Sequence, residues 1–243
     1  MELTPSEPWE FVERIDPAFV EAARAMQRVP YEKNHLSDKF KELCLIGCTA
    51  AATYLHAPRV RQHVRRALEL GATPQEIVEV LELISTVGIH AMNIGVPLLV
   101  EVMVERGRTG PEPLGARQEE LKERFTKLRG YWHEFWDEML ELDPEMFGAY
   151  TEFSTVPWRT GTLTPAEKEL IYISYDIAAT HLYVPGTKLH IRNALAHGAT
   201  SAAGARGHGA FRACSAWTRS RRPSRSSPRS WRPAGVSDRR AVP

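Results

Sequence analysis

Cysteine and long apolar runs are both scarce in this chain. Its 243 residues include three cysteines, Cys44, Cys48 and Cys214, too few and too scattered for the disulfide scaffold of a small secreted protein. Cys44 and Cys48 lie one turn apart on a predicted helix, and we expect buried thiols because free cysteine packs as a small apolar residue. No stretch approaches about 18 uninterrupted apolar residues, so no membrane span is predicted. The first residues are acidic, so no signal peptide is predicted and the protein is expected to be cytoplasmic.

Several common catalytic and binding motifs are also absent. The sequence has no Gly-x-Ser-x-Gly nucleophile turn, no phosphate-binding glycine loop and no zinc-finger spacing of cysteine and histidine. Six histidines are candidates for grouping as metal ligands: His56, His63, His90, His181, His190 and His197. None of them forms a His-x-x-x-His pair with acidic neighbours, so neither a metal nor a cofactor is predicted.

Lysine is missing from residues 201–243, which hold ten arginines and one acidic residue. The net charge of the whole chain, +1, is therefore the sum of a net charge of −8 over residues 1–200 and one of +9 in this basic tail. Because an acidic surface repels a phosphate backbone, nucleic acid is not expected as a partner of residues 1–200. The tail has three interpretations: a disordered segment, a segment that binds nucleic acid or an anionic membrane, or the product of a frameshift.

The dominant feature of the sequence is an internal repeat. Residues 41–73 return as residues 168–200 at a constant shift of 127, each with Lys-Glu-Leu, a central proline, His-x-Arg-x-Ala-Leu and Gly-Ala-Thr. The register holds without a gap between residues 9–73 and 136–200. Such repetition predicts two copies of one supersecondary unit.

Both copies are predicted to be helical, so the fold class is all-α. Asp16-Pro17, Thr73-Pro74 and Thr164-Pro165 are typical helix starts, with an N-cap side chain followed by proline. The predicted helices are 17–28, 37–55 and 58–71 with their counterparts in the second copy, 74–105 interrupted at Gly88 and at Gly95-Val96-Pro97, and 117–142.

The repeat also divides the chain. We predict a first repeat over 1–110, a linker helix over 111–135, an incomplete second repeat over 136–200 and the tail over 201–243. The aromatic run 131–136 is interpreted as core or subunit interface rather than as a ligand site.

The repeated Glu and His residues are the candidate catalytic groups. Glu42 precedes His63 by 21 residues, and Glu169 precedes His190 by the same interval. Each His lies on the apolar face of its predicted helix, where a hydrogen-bonded core histidine is the ordinary alternative. If each pair meets in a pocket, the carboxylate orients the imidazole, and the imidazole transfers a proton near neutral pH.

These motifs resemble those of the carboxymuconolactone decarboxylase family, which shares its fold with the alkylhydroperoxidase AhpD. The first copy carries the resemblance at Glu42, at 63–68, at 71–77 and at 95–97, and the second copy carries it at Glu169, 190–195 and 198–200. The chain therefore resembles a tandem member. The resemblance implies an all-α fold and a ring-like homo-oligomer, in which a tandem chain forms a trimer that fills six positions.

The resemblance implies two activities. AhpD-like members reduce peroxides with a Cys-x-x-Cys motif just upstream of the His, but residues 50–62 and 177–189 contain no cysteine, which disfavours dithiol chemistry. Decarboxylase-like members act without a cofactor on a carboxylated lactone, for which His63 and His190 are the candidate proton donors.

The expected function is thus cofactor-independent, acid–base decarboxylation or processing of a small lactone or carboxylic acid, by a carbon–carbon lyase. The family pattern has an acidic residue four positions before the His, where this chain has Arg59 and Gly186. Arg59 is accordingly a candidate for binding a substrate carboxylate, or a residue of a solvated face. A non-catalytic helical oligomer that binds a small ligand is the alternative from another functional class.

The frameshift interpretation of the tail makes a direct prediction. Arginine without lysine, together with Ala, Gly, Pro and Ser, is the composition that GC-rich DNA encodes out of frame. Reading the gene in its other two frames from about codon 201 should yield an apolar-periodic helix that resembles 74–105. If neither frame encodes such a helix, the frameshift interpretation is wrong.

Overall fold

The prediction of an all-α fold is confirmed. The computed structural model describes residues 7–33, 35–110 and 112–200, and these contain helices and no β-strand. The predicted tail, 201–243, lies outside the described residues. The α-helices are α1 Glu7–Ile15, α2 Pro17–Glu32, α3 Asp38–Ala50, α4 Ala57–Glu69, α5 Pro74–Ser85, α6 His90–Glu105, α7 Ala116–Arg129, α8 Asp137–Leu142, α9 Pro144–Thr160, α10 Pro165–Asp176 and α11 Val184–Ala196. Short 3-10 turns, Thr86–Ile89 and Glu134–Trp136, precede α6 and α8.

The helix starts follow the capping residues of the sequence. Thr73 and Thr164 each open a capping box: the Thr hydroxyl accepts from the backbone N–H of the Glu three residues later, and that Glu accepts from the Thr backbone N–H. Asp16 accepts from the Phe19 N–H at the start of α2 in the same manner. Each cap satisfies backbone donors that an α-helix leaves free in its first turn.

The two copies of the repeated sequence have the same backbone structure at equivalent positions. The helix α4, Ala57–Glu69, and the helix α11, Val184–Ala196, are related by the shift of 127 at both ends. The turn before each helix contains a leucine in the left-handed region, Leu55 with φ 46° and Leu182 with φ 53°. Non-glycine residues rarely adopt this conformation, so its occurrence at equivalent positions shows that the two copies share an unusual local fold.

Prolines interrupt the helices less than predicted. The expected end of α2 near residue 28 is wrong, because α2 continues through Pro30 to Glu32, and α9 continues through Pro157 to Thr160. The predicted break at Gly95-Val96-Pro97 is also wrong: α6 is continuous, although Pro97 cannot donate to the Asn93 carbonyl. In each case the helix continues without the hydrogen bond that the proline nitrogen cannot donate.

Two helices are shorter than predicted. The helix expected over 37–55 ends at Ala50, because Ala51 is extended and the His56 N–H turns back to the Thr49 carbonyl at 2.9 Å. The helix expected over 117–142 is broken after Arg129, where Gly130 takes φ 78° and reverses the chain. A glycine in the left-handed region is a common helix terminator, and here it directs the following aromatic run back onto the fold.

The two repeats meet where α3 crosses α10. Residues Phe40 to Thr49 of α3 are all buried. A Cβ built on Gly47 would lie 2.9 Å from the Ser174 hydroxyl, and Ser174 is the residue equivalent to Gly47. The hydroxyls of Thr53 and Thr180, another equivalent pair, are 3.3 Å apart. Because equivalent residues touch each other only on a two-fold axis, an approximate two-fold axis passes through this crossing.

A second core lies beside the first and is largely aromatic. Phe125 of α7, Trp136 before α8 and Phe147 of α9 are buried together, with ring centroids 5.5 to 5.8 Å apart. Tyr131, Trp132 and Phe135 pack against them. The aromatic run 131–136 is thus part of the core, which agrees with one half of its interpretation, but Tyr131, Phe135 and Trp136 also line a cavity described below.

One stretch, Pro74–Glu105, has the length and composition to cross a membrane. It comprises α5, a 3-10 turn and α6. Of its most apolar 18-residue segment, 44% is buried within the protein. It also contains Glu79, which is fully buried and ion-paired. We therefore interpret the stretch as a core element of the fold.

Glu79 connects the two repeats through polar contacts. From α5 of the first repeat, its carboxylate accepts from the backbone N–H groups of Thr162 at 2.6 Å and Leu163 at 3.0 Å. The same carboxylate lies 3.3 Å from the Nζ of Lys168, whose side chain is 5% exposed. The pair is therefore a buried ion pair between the repeats.

The Glu79→Ala variant should be strongly destabilised. It leaves the Lys168 ammonium buried without its carboxylate, so the free energy of unfolding should fall by about 3–5 kcal/mol, measured by urea denaturation. The control is Glu120→Ala, which breaks a pair with Arg117 whose side chains are 61% and 64% exposed. This control should lose less than about 1 kcal/mol. Equal losses in the two variants would contradict the role assigned to Glu79.

Candidate active site

The structure brings each predicted Glu together with its predicted His. Glu42 of α3 and His63 of α4 are joined by a Nδ1–Oε2 distance of 2.8 Å, and Glu169 of α10 and His190 of α11 by one of 2.5 Å. All four side chains are buried. The carboxylate holds Nδ1, which leaves Nε2 as the ring nitrogen that can exchange a proton with a ligand. Their catalytic role stays a prediction.

A cavity opens at the His190 pair. Its wall is largely aromatic and is formed by both repeats and by the segment between them: Thr86, Ile89, His90, Asn93, Arg129, Tyr131, Phe135, Trp136, Tyr150, Tyr172, Tyr175, Tyr183, Gly186, Leu189 and His190. The space open to the centre of a water molecule is about 20 Å³, enough for one small polar group. A larger ligand therefore requires the aromatic side chains of the wall to move.

Arg129 is the buried positive charge of this cavity. Only 5% of the residue is exposed, yet in the part of the chain that the structure describes it forms no ion pair with a carboxylate. Its guanidinium lies 4.5 Å from the ring centroid of Trp158 and 5.4 Å from that of Tyr172, and it donates to the Tyr131 hydroxyl at 3.3 Å. Among the described residues its Nε donor has no hydrogen-bond partner, although it is buried. A buried guanidinium with a free donor can bind an anion.

Tyr172 connects this charge to the His190 pair. Its ring stacks on the imidazole of His190 with centroids 4.6 Å apart, while its hydroxyl accepts from the Trp158 indole N–H at 3.3 Å. On the other side of the pair, the Asn193 amide donates to the Glu169 carboxylate at 3.4 Å. The imidazole is therefore held in orientation by a ring on its face and a carboxylate at its edge.

The first repeat does not reproduce these surroundings. Where the second repeat has Tyr172, Tyr175, Asp176 and Gly186, the first has Leu45, Cys48, Thr49 and Arg59. Arg59 is half-buried, donates to Gln62 at 3.2 Å and does not line the cavity at His190. The second repeat has Gly186 at the equivalent position, so it has no arginine that could take the substrate-binding role predicted for Arg59.

Gly186 leaves room for two neighbours at this cavity. A Cβ at position 186 would lie 2.5 Å from the Asp176 Oδ2 and 2.6 Å from the Tyr183 ring, closer than unbonded atoms can approach. Only glycine fits here without a shift of Asp176 or Tyr183. A sequence motif identifies the glycine. It does not identify Asp176 and Tyr183 as its neighbours, because these residues belong to α10 and to the turn before α11.

Three groups, of which His90 lines the cavity, could hold a metal ion. His90 at the start of α6, Asp176 at the end of α10 and His181 in the following turn place their ligand atoms within 4.8 Å of one another. Burial, with the charges of His181 and His190, lowers the pKa of His90 to about 3, and burial also lowers the pKa of His181. Burial is the main reason that the pKa of Asp176 is raised to about 7. The charge of His190 opposes this rise, and the charge of Glu169 adds to it.

Sequence reasoning missed both Arg129 and this three-residue cluster. Arg129 lies outside the repeat, at the end of a linker helix whose charged residues are mostly exposed. The cluster joins residues 90, 176 and 181, a spacing that matches no local ligand motif. The sequence expectation of no metal site relied on such motifs alone.

Cys44 and Cys48 have the environment of inert thiols. Both are buried, as predicted. The Cys48 thiol donates to the Ser174 carbonyl at 2.9 Å, and burial raises the pKa of Cys44 well above its ordinary value. Because the thiolate is the reactive form, this environment disfavours dithiol chemistry.

Comparisons with known proteins agree with the architecture. The model of the family described as "Carboxymuconolactone decarboxylase family" matches residues 17–92 and 144–213, which are two segments in one chain. A crystal structure from Burkholderia xenovorans LB400, provisionally described as that of a gamma-carboxymuconolactone decarboxylase subunit, is 50% identical. The match covers 87% of this chain and 85% of that one, with a TM-score of 0.82.

Comparison with curated proteins finds no match. The two family segments cover more than half of the sequence, and the solved relative is similar over most of both chains. The chain therefore belongs to the carboxymuconolactone decarboxylase family and carries two copies of the family's domain.

Proposed function

We propose that this protein is a decarboxylase of small carboxylated lactones and that its working site is the cavity at His190. The observation that carries the proposal is the shared cavity of a His–Glu pair and a buried arginine without a carboxylate partner in the described residues. A proton donor to carbon and an anion-binding group that orients a carboxylated substrate are two functions that such a reaction uses. The description of the Burkholderia relative supports the same reaction class.

The proposed reaction uses the second repeat's pair as acid. The C–C bond to the leaving carboxylate breaks, carbon dioxide departs, and the bonding electrons pass into the conjugated lactone as an enolate. Protonated His190 then donates a proton from Nε2 to carbon, and Glu169 stabilises the imidazolium before that step. Solvent returns the proton to His190 after the product leaves.

Arg129 binds a carboxylate that the substrate keeps. A guanidinium paired with the departing carboxylate would stabilise the charge that the reaction removes, and it would therefore slow the reaction. A guanidinium paired with a second carboxylate orients the substrate without this cost. The aromatic wall excludes water, which strengthens the electrostatic interactions of both groups.

The first pair, Glu42 and His63, has a structural role in this proposal. It joins α3 to α4 in the half of the chain that lacks the second repeat's tyrosines and Asp176. Arg59 remains a candidate for contacting a substrate there only if the first repeat has a site of its own. The cytoplasmic location remains a proposal from sequence.

Two other functions are less well supported. Dithiol peroxide reduction would use thiolates, whereas Cys44 is buried with a raised pKa. Ligand binding without catalysis would need the cavity but not the hydrogen bond between His190 and Glu169. The first test therefore compares histidine variants.

The activity test measures carbon dioxide release from a panel of carboxylated muconolactones. His190→Ala should lower turnover by about 10²- to 10⁴-fold, since it removes the proposed general acid, whereas His63→Ala should keep most of it. Circular dichroism would show that both variants are folded. Equal loss in the two variants, or no release by the natural chain, would contradict the proposed site.

A second arm of the same assay tests Arg129. Arg129→Lys keeps the charge but removes the planar pair of donors, so KM should rise by about 10-fold or more, with a smaller change in kcat. Substrates with only one carboxylate should be affected less. A variant with unchanged KM for every substrate would remove Arg129 from the proposal.

We also propose that the chain forms a homo-oligomer. Ile94, Leu98 and Val102 lie at four-residue intervals on α6 and are 53%, 55% and 45% exposed, so they form an apolar stripe on one face. The Burkholderia relative is described as a subunit, which favours a second copy of this chain as the occupant of the stripe. A trimer of tandem chains is the expected assembly.

The Leu98→Glu variant should disrupt that assembly. A carboxylate in the stripe would have to be buried without a partner on association, so the mass in solution, measured by light scattering, should fall toward that of one chain. The control Glu120→Gln removes an exposed carboxylate of α7, outside the stripe, and should keep the mass of the natural protein. A natural protein with the mass of one chain would overturn the proposal.

A further inference from the structure

We propose that His90, Asp176 and His181 form a binding site for a divalent transition-metal ion such as Zn²⁺, at the junction of the two repeats. His90 Nδ1 and His181 Nε2 are 2.7 Å apart, and each lies 3.9 Å from the Asp176 Oδ1. Two ligand atoms bound at about 2.0–2.1 Å to a tetrahedral ion are roughly 3.3 Å apart. The observed separations lie on both sides of this value, so small side-chain rotations would bring all three atoms within bonding distance.

The donor set suits such an ion. Two imidazole nitrogens and one carboxylate oxygen form the protein ligands of many catalytic zinc sites and of non-haem iron sites. Calcium and magnesium prefer oxygen ligands, so they fit this set less well. Zinc is the appropriate first probe because it binds imidazole strongly and has no redox chemistry of its own.

The carboxylate is the second observation that points to a ligand. Asp176 is fully buried, and in the described part of the fold neither of its oxygens has a hydrogen-bond partner. A buried carboxylate without donors is costly, and the nearest basic groups are two imidazoles rather than an arginine or lysine. A bound cation would supply the missing partner for the carboxylate and use the lone pairs of both imidazoles.

The surroundings are arranged around this carboxylate. Gly186 leaves the space that Asp176 Oδ2 and the Tyr183 ring occupy, and Tyr183 in turn stacks on His90 with centroids 4.0 Å apart. The His181 side chain is 15% exposed, which gives an ion a route from solvent. The hydrogen bond between the two imidazoles would be exchanged for two bonds to the metal.

The first repeat has no equivalents of the ligands that the second repeat supplies to this site. At the positions of Asp176, His181 and Gly186 the first repeat has Thr49, Tyr54 and Arg59, of which none matches the ligand set. The site also needs His90 from the first repeat, so it spans the two copies. This inference does not depend on the decarboxylase proposal, because it concerns side chains that the proposed acid–base step does not use.

The test is a zinc titration of the full chain without an affinity tag, after treatment with a chelator. Isothermal calorimetry should show one saturable Zn²⁺ site per chain. A hundred-fold excess of free Zn²⁺ over the dissociation constant should raise the melting temperature by about 5–10 °C. Asp176→Asn and His181→Ala should each weaken binding by about 100-fold or more, whereas His197→Ala, which removes an exposed histidine outside the cluster, should leave it unchanged.

The outcomes separate a metal site from a network of hydrogen bonds. The proposal is supported if the site is lost in both ligand variants and kept in His197→Ala. It is overturned if the natural chain has no one-to-one site, or if the site survives in both ligand variants. His181 is partly exposed, so its variant remains informative if Asp176→Asn fails to fold. An absorption band of bound Co²⁺ that vanishes in His181→Ala would identify imidazole as a ligand.

Discussion

The close crossing of α3 and α10 is the contact on which the rest of this structure depends. At Gly47 the backbone of α3 approaches Ser174 so closely that even a methyl group would press on its hydroxyl. This approach packs α3 directly against α10. Glu42 of α3 then contacts His63 of α4, and Glu169 of α10 contacts His190 of α11. The same crossing fixes where α5 meets the second repeat, and hence where Glu79 meets Lys168. A single tight contact thus positions both Glu–His pairs.

The two halves share a backbone and differ in chemistry. Equivalent turns repeat to within a few degrees of φ at Gly71 and Gly198, while the side chains around the second histidine have become aromatic and polar. The equivalent positions on α3 of the first repeat hold Leu45, Cys48 and Thr49. A buried guanidinium, and a carboxylate that has no hydrogen-bond partner among the described residues, cost folding free energy. Arg129 lines the cavity and Asp176 lies against Gly186 of its wall, where binding a ligand can offset that cost.

The sequence was sufficient for the features that depend on local pattern. The capping boxes at Thr73 and Thr164, the inward position of His63 and His190, and the two-copy architecture all follow from short motifs and the shift of 127. Arg129 could not be found in this way, because its burial results from the rings of Trp158 and Tyr172, which arrive from α9 and α10. The grouping of His90 with Asp176 and His181 likewise depends on how α6 returns to the second repeat. Such long-range contacts have no local signature.

The composite wall of the cavity has a consequence for stoichiometry. His90 comes from the first repeat, Arg129 from the connecting helix and His190 from the second repeat. Two identical single-repeat chains related by a true two-fold axis would form two equal sites, and neither would contain an element equivalent to the connecting helix. In the tandem chain the cavity at His190 draws on both repeats and on the helix between them. A tandem chain can therefore build a site from three non-equivalent parts, and this asymmetry would be lost if the two repeats were separate chains.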